Sequence, residues 1–212
     1  MVAIRLLAAA VLLAGAGAAA QTGAQICGNP FVNHFGPWDY RTAKQADRDI
    51  VERVHFTLGI ETMTQPKNTM RHEMAGDVSY TLGVFPNHHR ALLTMQRLSV
   101  RWKSDPPPGT TLSVDCWYDR AVRFTPEDTV VRALYARFLA ERDRKPEAVH
   151  QLDVAVTHAK DNPFSHYNLG LVYLELGEHE KARSRALEAR ELGFPRTELI
   201  DKLRAAGQWT EP

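Results

Sequence analysis

The sequence predicts an all-α fold in which a short solenoid of α-hairpins follows an irregular helical N-terminal cap. The first supporting observation is that small residues recur about every 34 residues, a period typical of helix–turn–helix units that stack on their neighbours. Ala182 aligns with Ala148, and Ala189 aligns with Ala155 and, one period earlier, with Ala121. The second observation is apolar residues at three- and four-residue spacing, and the third is Gly or Pro at the ends of these stretches.

Residues 1–20 are predicted to be a signal peptide. Arg5 supplies a positive charge, and the fifteen residues Leu6–Ala20 are apolar but too few to span a bilayer comfortably. The three alanines before Gln21 are the small residues that a signal peptidase requires. The mature chain is therefore expected to be exported, to the periplasm of a Gram-negative bacterium, without membrane insertion. A retained anchor and lipidation at Cys27 are the alternatives.

The charge balance argues against nucleic acid as a partner. The full chain has 26 Lys and Arg and 25 Asp and Glu, so removal of a signal peptide containing Arg5 leaves a formal net charge of zero. Basic and acidic residues are interleaved, and no polybasic run occurs. Neither nucleic acid nor an anionic membrane surface is therefore expected as a partner.

The chain contains two cysteines, Cys27 and Cys116. In an oxidising compartment an even pair favours a disulfide. This bond would close a loop of about 90 residues and contribute at most about 4–5 kcal/mol in the chain-entropy model. It would also tie the N-terminal segment to the helical body. Two free thiols that share a metal ion are the alternative.

Region 21–86 is predicted to form an arm and a helical cap. The arm, Gly28–Tyr40, is rich in Gly, Pro and aromatic residues, which exclude a long helix and favour a segment packed on other helices. A first helix is expected after Thr42 as N-cap, with Gly59 at its end. Its apolar stripe comprises Ala43, Ala46, Ile50, Val54 and Leu58.

The second half of this cap has weaker signals. Residues 60–76 lack helical periodicity and are expected to form a loop. Asp77 is a suitable N-cap for a short helix after this loop. That helix must end before Pro86, which cannot donate a backbone hydrogen bond.

The remaining chain is predicted to consist of helical hairpins. Region 87–128 is a degenerate hairpin whose first helix Asn87 caps, with a Pro-rich insertion at 104–110. Region 129–196 contains two regular hairpins, and region 197–212 contains a capping helix that covers the apolar end of the last one. The apolar stripe of the degenerate hairpin's first helix is Ala91, Met95, Leu98 and Trp102.

Segment 163–196 resembles a tetratricopeptide repeat (TPR). The residues that carry this resemblance are Leu169, Gly170, Tyr173, Gly177, Ala182, Ala186 and Ala189. Segment 129–162 is a weaker match through Tyr135, Ala136, Leu139, Ala148, Leu152 and Ala155, and segment 87–126 matches only in its second helix. The resemblance implies that Gly170 and Ala182 lie where two helices cross. As a whole, the chain is similar to exported bacterial proteins with TPR repeats.

The resemblance also implies a protein partner. TPR domains hold a peptide or helix on a concave face lined by the first helix of each pair. Carried over by position, this face comprises Phe164, Tyr167, Asn168, Leu171, Glu175, Ala133, Arg137 and Glu141. Asn168 is expected to bond a peptide backbone and Arg137 to bind a carboxylate. In the alternative, these side chains only pack, or the N-terminal arm occupies the face.

A turn rich in polar residues lies at the predicted start of the degenerate hairpin. It comprises Asn87, His88, His89 and Arg90. A helix start of this composition suits an anion or a carboxylate, and Trp38 and Tyr40 of segment 34–40 are candidates for an aromatic wall. The turn is thus a candidate small-ligand or partner site. The alternative is that the arm and the turn simply pack together.

Histidines in the N-terminal half are the candidates for a metal site. They are His34, His55, His88 and His89. Copper and zinc favour imidazole ligands, but neighbouring residues on a helix point about 100° apart, so the last two rings cannot easily bind one ion. Capping and surface roles are the preferred interpretation, and neither a metal nor a cofactor is predicted.

The sequence contains no familiar catalytic motif. Gly-x-Ser-x-Gly, a phosphate-binding glycine loop and Cys-x-x-Cys are all missing. The predicted function is therefore a periplasmic scaffold or adaptor that binds a partner protein, not an enzyme. A metal- or small-ligand-binding protein centred on His88, His89 and segment 34–40 is the alternative, and a hydrolase is the third hypothesis.

Overall fold

The computed structural model describes residues 27–64 and 71–211, apart from the side chains of Arg71 and His72. These residues form ten helices and no strand, which confirms the all-α prediction for this part of the chain. The predicted signal peptide, and residues 65–70 of the predicted loop, lie outside the described residues. The helices are α1 Gln45–His55, α2 Leu58–Glu61, α3 Arg71–Val84, α4 His89–Trp102, α5 Val114–Phe124, α6 Thr129–Ala140, α7 Lys145–Ala159, α8 Pro163–Glu175, α9 His179–Glu191 and α10 Glu198–Ala205.

Helix α1 differs from its prediction in its cap and its buried face. Lys44, not Thr42, is the N-cap, and Leu58 begins a separate short helix. Ile50 is 53% exposed, whereas its neighbour Val51 is buried. The face is rotated by one residue because Val51 packs against Val84 and Phe85 of α3 and the turn after it. Val54 and Leu58 of the predicted stripe are also exposed.

Helix α3 begins earlier than predicted. It starts at Arg71, so the last part of the predicted loop is helical, and Asp77 lies inside the helix instead of capping it. The Asp77 carboxylate instead pairs with His55 Nδ1 at 2.8 Å. The helix ends at Val84, before Pro86, as predicted.

Helix α4 has the predicted core face but a different N-cap. His88 is the cap residue, and its Nδ1 accepts the backbone N–H of Ala91 at 3.1 Å. The prediction that Asn87 caps this helix is therefore wrong. Met95 and Leu98 of the predicted stripe are fully buried. Helix α5 follows the Pro-rich insertion, and its N-cap Ser113 accepts the Cys116 N–H.

The C-terminal helices repeat with the period seen in the sequence. Helices α6 and α8 begin at Thr129 and Pro163, one repeat period apart, and α7 and α9 begin at Lys145 and His179, with the same separation. The N-caps Asp128 and Asn162 are also one period apart, and each accepts backbone N–H groups of its own helix. Short connections join α6 to α7 and α8 to α9, and each pair packs closely.

The helices share one main apolar core. It extends from Phe56 to Leu203 and includes residues of α2 to α10. Helices α4, α6, α8 and α10 contact one another in series. The alanines of the repeat are buried where helices pack: they are Ala136, Ala148, Ala155, Ala182, Ala186 and Ala189. Small side chains at these positions let the helix backbones approach closely.

The N-terminal arm is fixed to the helices in two ways. A disulfide joins Cys27 to Cys116 on α5, which confirms that prediction. Next to it, Arg120 Nη1 donates to the carbonyls of Cys27 (3.2 Å) and Asn29 (3.1 Å), and Arg123 Nη2 donates to Gly28 (2.8 Å). Among the described helices, none has the length and apolar character needed to cross a membrane.

Candidate functional site

A groove lies between α6 and α8, where the sequence predicts a partner-binding face. It contains a cavity of about 190 Å³. This surface, called the α6/α8 groove below, is lined by Thr129, Val130, Ala133, Leu134, Arg137, Phe164, Ser165, Asn168, Leu169 and Val172. The cavity thus brings together four of the predicted face residues, which are Phe164, Asn168, Arg137 and Ala133. Phe164 is 53% exposed at the edge of the cavity.

One end of the groove carries an ion pair. The Arg137 guanidinium binds Glu175 with Nε to Oε2 at 2.7 Å and Nη2 to Oε1 at 2.9 Å. Both residues are predicted face residues, and they neutralise each other. Arg137 therefore binds a carboxylate of the protein itself, and its contact with a partner's carboxylate stays a prediction.

Three other predicted face residues lie outside the groove. Tyr167 is buried, packs on Phe194 and donates its hydroxyl to Glu198 Oε2 at 3.0 Å. Leu171 is half-buried against the main core. Glu141 lies just beyond the end of α6, where it accepts a hydrogen bond from Gln96 at 2.7 Å.

Several apolar residues of the groove are not among the predicted face residues. Val130 and Leu134 line the cavity, and they stand one repeat period before Phe164 and Asn168. The same register that relates the alanines would have identified them. The groove thus presents apolar walls with Asn168 as a polar group within them.

A polar junction joins the arm, α1 and the start of α4, and Glu52 is its first centre. Glu52 Oε1 accepts hydrogen bonds from the Tyr40 hydroxyl (2.6 Å), His88 Nε2 (3.2 Å) and Arg90 Nη2 (3.4 Å). Burial opposes ionisation of Glu52, but these donors outweigh it and lower the pKa of Glu52. Sequence spacing alone suggests that Glu52 is an ordinary surface carboxylate.

Asp128 is the second centre of the polar junction. Its Oδ2 binds His89 Nε2 at 2.9 Å and Asn87 Nδ2 at 3.1 Å, and Arg41 Nε lies 3.4 Å away. Asn87 is fully buried and also donates to Asp39 Oδ1 at 2.7 Å. The junction therefore links the arm to the turn between α5 and α6.

The arm packs on this junction through its aromatic residues. The Trp38 ring lies 6.1 Å from the Phe85 ring, and the Tyr40 ring lies 4.1 Å from the His88 ring. His88 is buried, and both ring nitrogens are used, by Ala91 and by Glu52. Burial lowers the pKa of His88 to about 4 despite the nearby carboxylate of Glu52.

The polar junction and the α6/α8 groove meet in a surface depression of about 380 Å³. Four residues line both the depression and the groove: Thr129, Val130, Phe164 and Ser165. The depression also contains basic or titratable groups, which are Arg41, His89, His158 and Lys160, and the acidic groups Glu127 and Asp128. The two regions that the sequence indicates separately are therefore neighbours.

The candidate metal-binding histidines lie in different surroundings. His34 and His55 both contact the Tyr80 ring, with centroid distances of 5.6 and 4.1 Å. His88 and His89 instead bind Glu52 and Asp128. Within residues 27–64 and 71–211, no group of three or more His, Cys, Asp or Glu side chains has a metal-binding arrangement.

No protein-family model matches this chain, and no curated protein matches it either.

Proposed function

We propose that this chain is an exported helical-repeat protein of the TPR type that binds a segment of a partner protein in the α6/α8 groove. The observation that carries the proposal is the apolar cavity between two helices related by the repeat period. Peptide-binding grooves of this kind combine an apolar pocket with a few polar groups that fix the ligand.

The repeat register supports the TPR interpretation. The first residues of α6 and α8 are separated by one repeat period, and so are the first residues of α7 and α9. The N-caps of α6 and α8 have the same separation. At Gly170 an added Cβ would lie 3.2 Å from Arg185 Cβ and 3.4 Å from the Ala182 carbonyl. Such close approach is the reason that the TPR signature requires a small residue at this place.

The groove chemistry favours a partner segment that inserts an apolar side chain. Val130, Ala133 and Leu134 form apolar walls, and Phe164 offers an exposed ring at the entrance. Asn168 is half-buried within the lining, where its amide suits a peptide backbone. The Arg137–Glu175 pair closes one end without leaving an unpaired charge.

The disulfide supports the proposal that the chain is exported. Structural disulfides persist in oxidising compartments such as the bacterial periplasm and are rare in the cytosol. The Cys27–Cys116 bond joins segments 89 residues apart. A periplasmic location is consistent with this bond and with the apolar N-terminal sequence.

We propose binding without catalysis as the activity of the groove. The alternative site at the His88 turn has less support, because the protein's own carboxylates bind its donors. Cys27 and Cys116 are joined to each other, so neither offers the thiolate that nucleophilic catalysis by cysteine requires.

The groove proposal can be tested with a matched pair of phenylalanine variants. Phe164→Ala removes an exposed ring beside the groove, and Phe31→Ala removes a ring of similar exposure (57%) elsewhere. Ala133→Leu fills the cavity. We expect Phe164→Ala and Ala133→Leu to lower recovery of a copurifying periplasmic protein by about tenfold, because the first removes an apolar contact and the second fills the space for a partner side chain.

Phe31→Ala should recover that protein like the wild type. Circular dichroism of each variant establishes that the helices are intact. Equal recovery by all four proteins would contradict binding in the α6/α8 groove.

A further inference from the structure

Helix α4 carries a second surface that the groove does not include. Leu93, Arg97 and Val100 recur at four- and three-residue spacing, so they share one face of the helix. The opposite face, with Leu92, Met95 and Leu98, lies in the core. The outward face is not purely polar: Val100 is 65% exposed, and Leu93 is half-buried.

This face borders a depression of about 620 Å³ beside the end of α6. Its lining, called the α4 surface below, comprises Met63, Leu93, Gln96, Arg97, Val100, Arg101 and Glu141. Three of the seven are apolar, and two are arginines. An exposed depression of mixed apolar and basic character is more typical of an interaction site than of ordinary solvated surface.

The arginines of the α4 surface have no carboxylate partner among the described residues. Among the described residues, neither Arg97 nor Arg101 forms an ion pair, and Lys103 at the end of α4 does not either. Arg101 donates only to the Met63 carbonyl, at 2.9 Å. By contrast, Arg137 and Arg144 each bind carboxylates at 2.7 Å.

The one carboxylate on the α4 surface, that of Glu141, forms no ion pair with Arg97 or Arg101. Glu141 Oε2 accepts a hydrogen bond from the Gln96 amide at 2.7 Å. Two exposed arginines, Arg97 and Arg101, therefore line a partly apolar depression without an ion-pair partner in the described part of the chain. This distribution is complementary to a ligand that carries both negative charge and an apolar group.

We propose that the α4 surface binds an acidic polypeptide segment of a partner protein, with an apolar side chain seated against Leu93 and Val100 and carboxylates at Arg97 and Arg101. This inference rests on the proposed function in one respect, that the partner is a polypeptide, but it uses a different cavity. A short acidic segment suits two arginines on one depression. A long polyanion such as nucleic acid requires a more extended basic surface.

The test is a selection of short random peptides on the full chain with its disulfide intact. We expect the selected peptides to be enriched in Asp and Glu together with one large apolar residue. Their affinity, measured by fluorescence anisotropy, should fall about tenfold or more in an Arg97→Glu, Arg101→Glu double variant. Replacement of Glu by Gln in the peptide should have a comparable effect.

The matched control is a Lys44→Glu, Arg53→Glu double variant. It changes the net charge equally, and both residues are exposed cations without a carboxylate partner among the described residues. Val100→Asp is a second test variant, because it places a like charge against the acidic segment on an exposed site that should fold normally. The control should retain wild-type affinity, and Val100→Asp should lose about tenfold.

The outcomes separate this inference from the groove proposal. Peptides that lose affinity in Phe164→Ala and not in the Arg97 and Arg101 variant would overturn the inference and leave the groove proposal standing. The reverse pattern would support the inference and argue against the groove. Absence of any selected peptide would overturn the inference. Binding to phosphatidylglycerol vesicles that requires Arg97 and Arg101 would overturn it in favour of a membrane surface.

Discussion

At the scale of single residues, His88 has two structural roles on one ring. Its Nδ1 caps α4 by accepting the Ala91 N–H, so the proton of the neutral ring lies on Nε2, which donates to Glu52. Phe56 lies 4.7 Å from the ring, and Tyr40 lies 4.1 Å from it, both measured between ring centroids. Protonation of Nδ1 would remove the cap acceptor and place a charge in this enclosed position.

The protein is expected to lose stability in mild acid because of this ring. The pKa of His88 is about 4 in the folded protein, mainly through burial, against an ordinary value of 6.5. The unfolded chain therefore binds the proton more readily, and stability is complete above pH 6.5 and declines toward pH 4. Between pH 7.5 and 5 the loss is about 2 kcal/mol.

Urea unfolding of His88→Asn tests this expectation. Asn keeps a capping acceptor but cannot titrate, so its unfolding free energy should change less between pH 7.5 and 5 than that of the wild type. His150→Asn, at an exposed site on α7, should keep the wild-type pH dependence. An unchanged slope in His88→Asn would show that other groups cause the acid sensitivity. The Asp39 carboxyl does not cause a change between pH 7.5 and 5, because its pKa is about 2 in the folded protein and 3.8 ordinarily, both below this range.

At the scale of elements, helices are easier to predict from the sequence than the surfaces that cover them. Helical spacing and caps predict α6 to α10 closely, because regular repeats satisfy local signals at each helix end. The buried face of α1 could not be read from spacing, since the arm and α3 decide that Val51 and not Ile50 is covered. The polar junction depends on Glu52 and Asp128, which are far apart in the chain and carry no local signal.

The candidate site is partly predictable for the same reason. Groove residues follow from the repeat register, which is a local property, and Phe164, Asn168 and Arg137 are identified in this way. The register also places Tyr167 on the face, although α10 and Phe194 cover it. Its burial depends on a neighbouring element that the repeat pattern does not describe.

The crossing of α8 with its neighbours gives a prediction for Gly170. Its equivalent one repeat period earlier is Ala136, which is fully buried. A Cβ at Gly170 would overlap Leu199 Cδ2 and lie 3.2 Å from Arg185 Cβ. Gly170→Ala should therefore destabilise by about 1–3 kcal/mol, because overpacking exceeds the helix-propensity gain of about 1 kcal/mol.

Ala136→Gly should also destabilise, by about 1 kcal/mol or more, but through lost helix propensity and a small cavity. Urea unfolding measures both. A double-mutant cycle with Leu199→Ala identifies the cause, since Gly170→Ala should cost less once the Leu199 side chain is shortened. A stabilised Gly170→Ala variant would show that the helices do not approach as closely as the structure indicates.

At the scale of the whole molecule, the connected core couples elements that are distant in sequence. Helix pairs contact mainly their neighbours, an arrangement in which local unfolding is possible. Here, however, one apolar cluster extends from Phe56 to Leu203, and the disulfide ties the arm to α5. The arm, the polar junction and the α6/α8 groove are thus held by the same body of helices.

Leu199→Ala tests this coupling, because Leu199 is buried at the C-terminal end of the core. We expect a loss of about 3 kcal/mol from the unfolding free energy, as for other buried leucines.

Two spectroscopic probes distinguish unfolding of the whole core from unfolding of its C-terminal part. Tryptophan fluorescence reports mainly on the N-terminal elements, because three of the four tryptophans precede α6 and only Trp209 follows it. Far-UV circular dichroism reports on all helices. If the core unfolds as one unit, both signals shift to the same lower urea concentration. A circular dichroism transition that precedes the fluorescence transition would instead show that α8 to α10 unfold separately, and the groove would then be a local structure that a partner stabilises on binding.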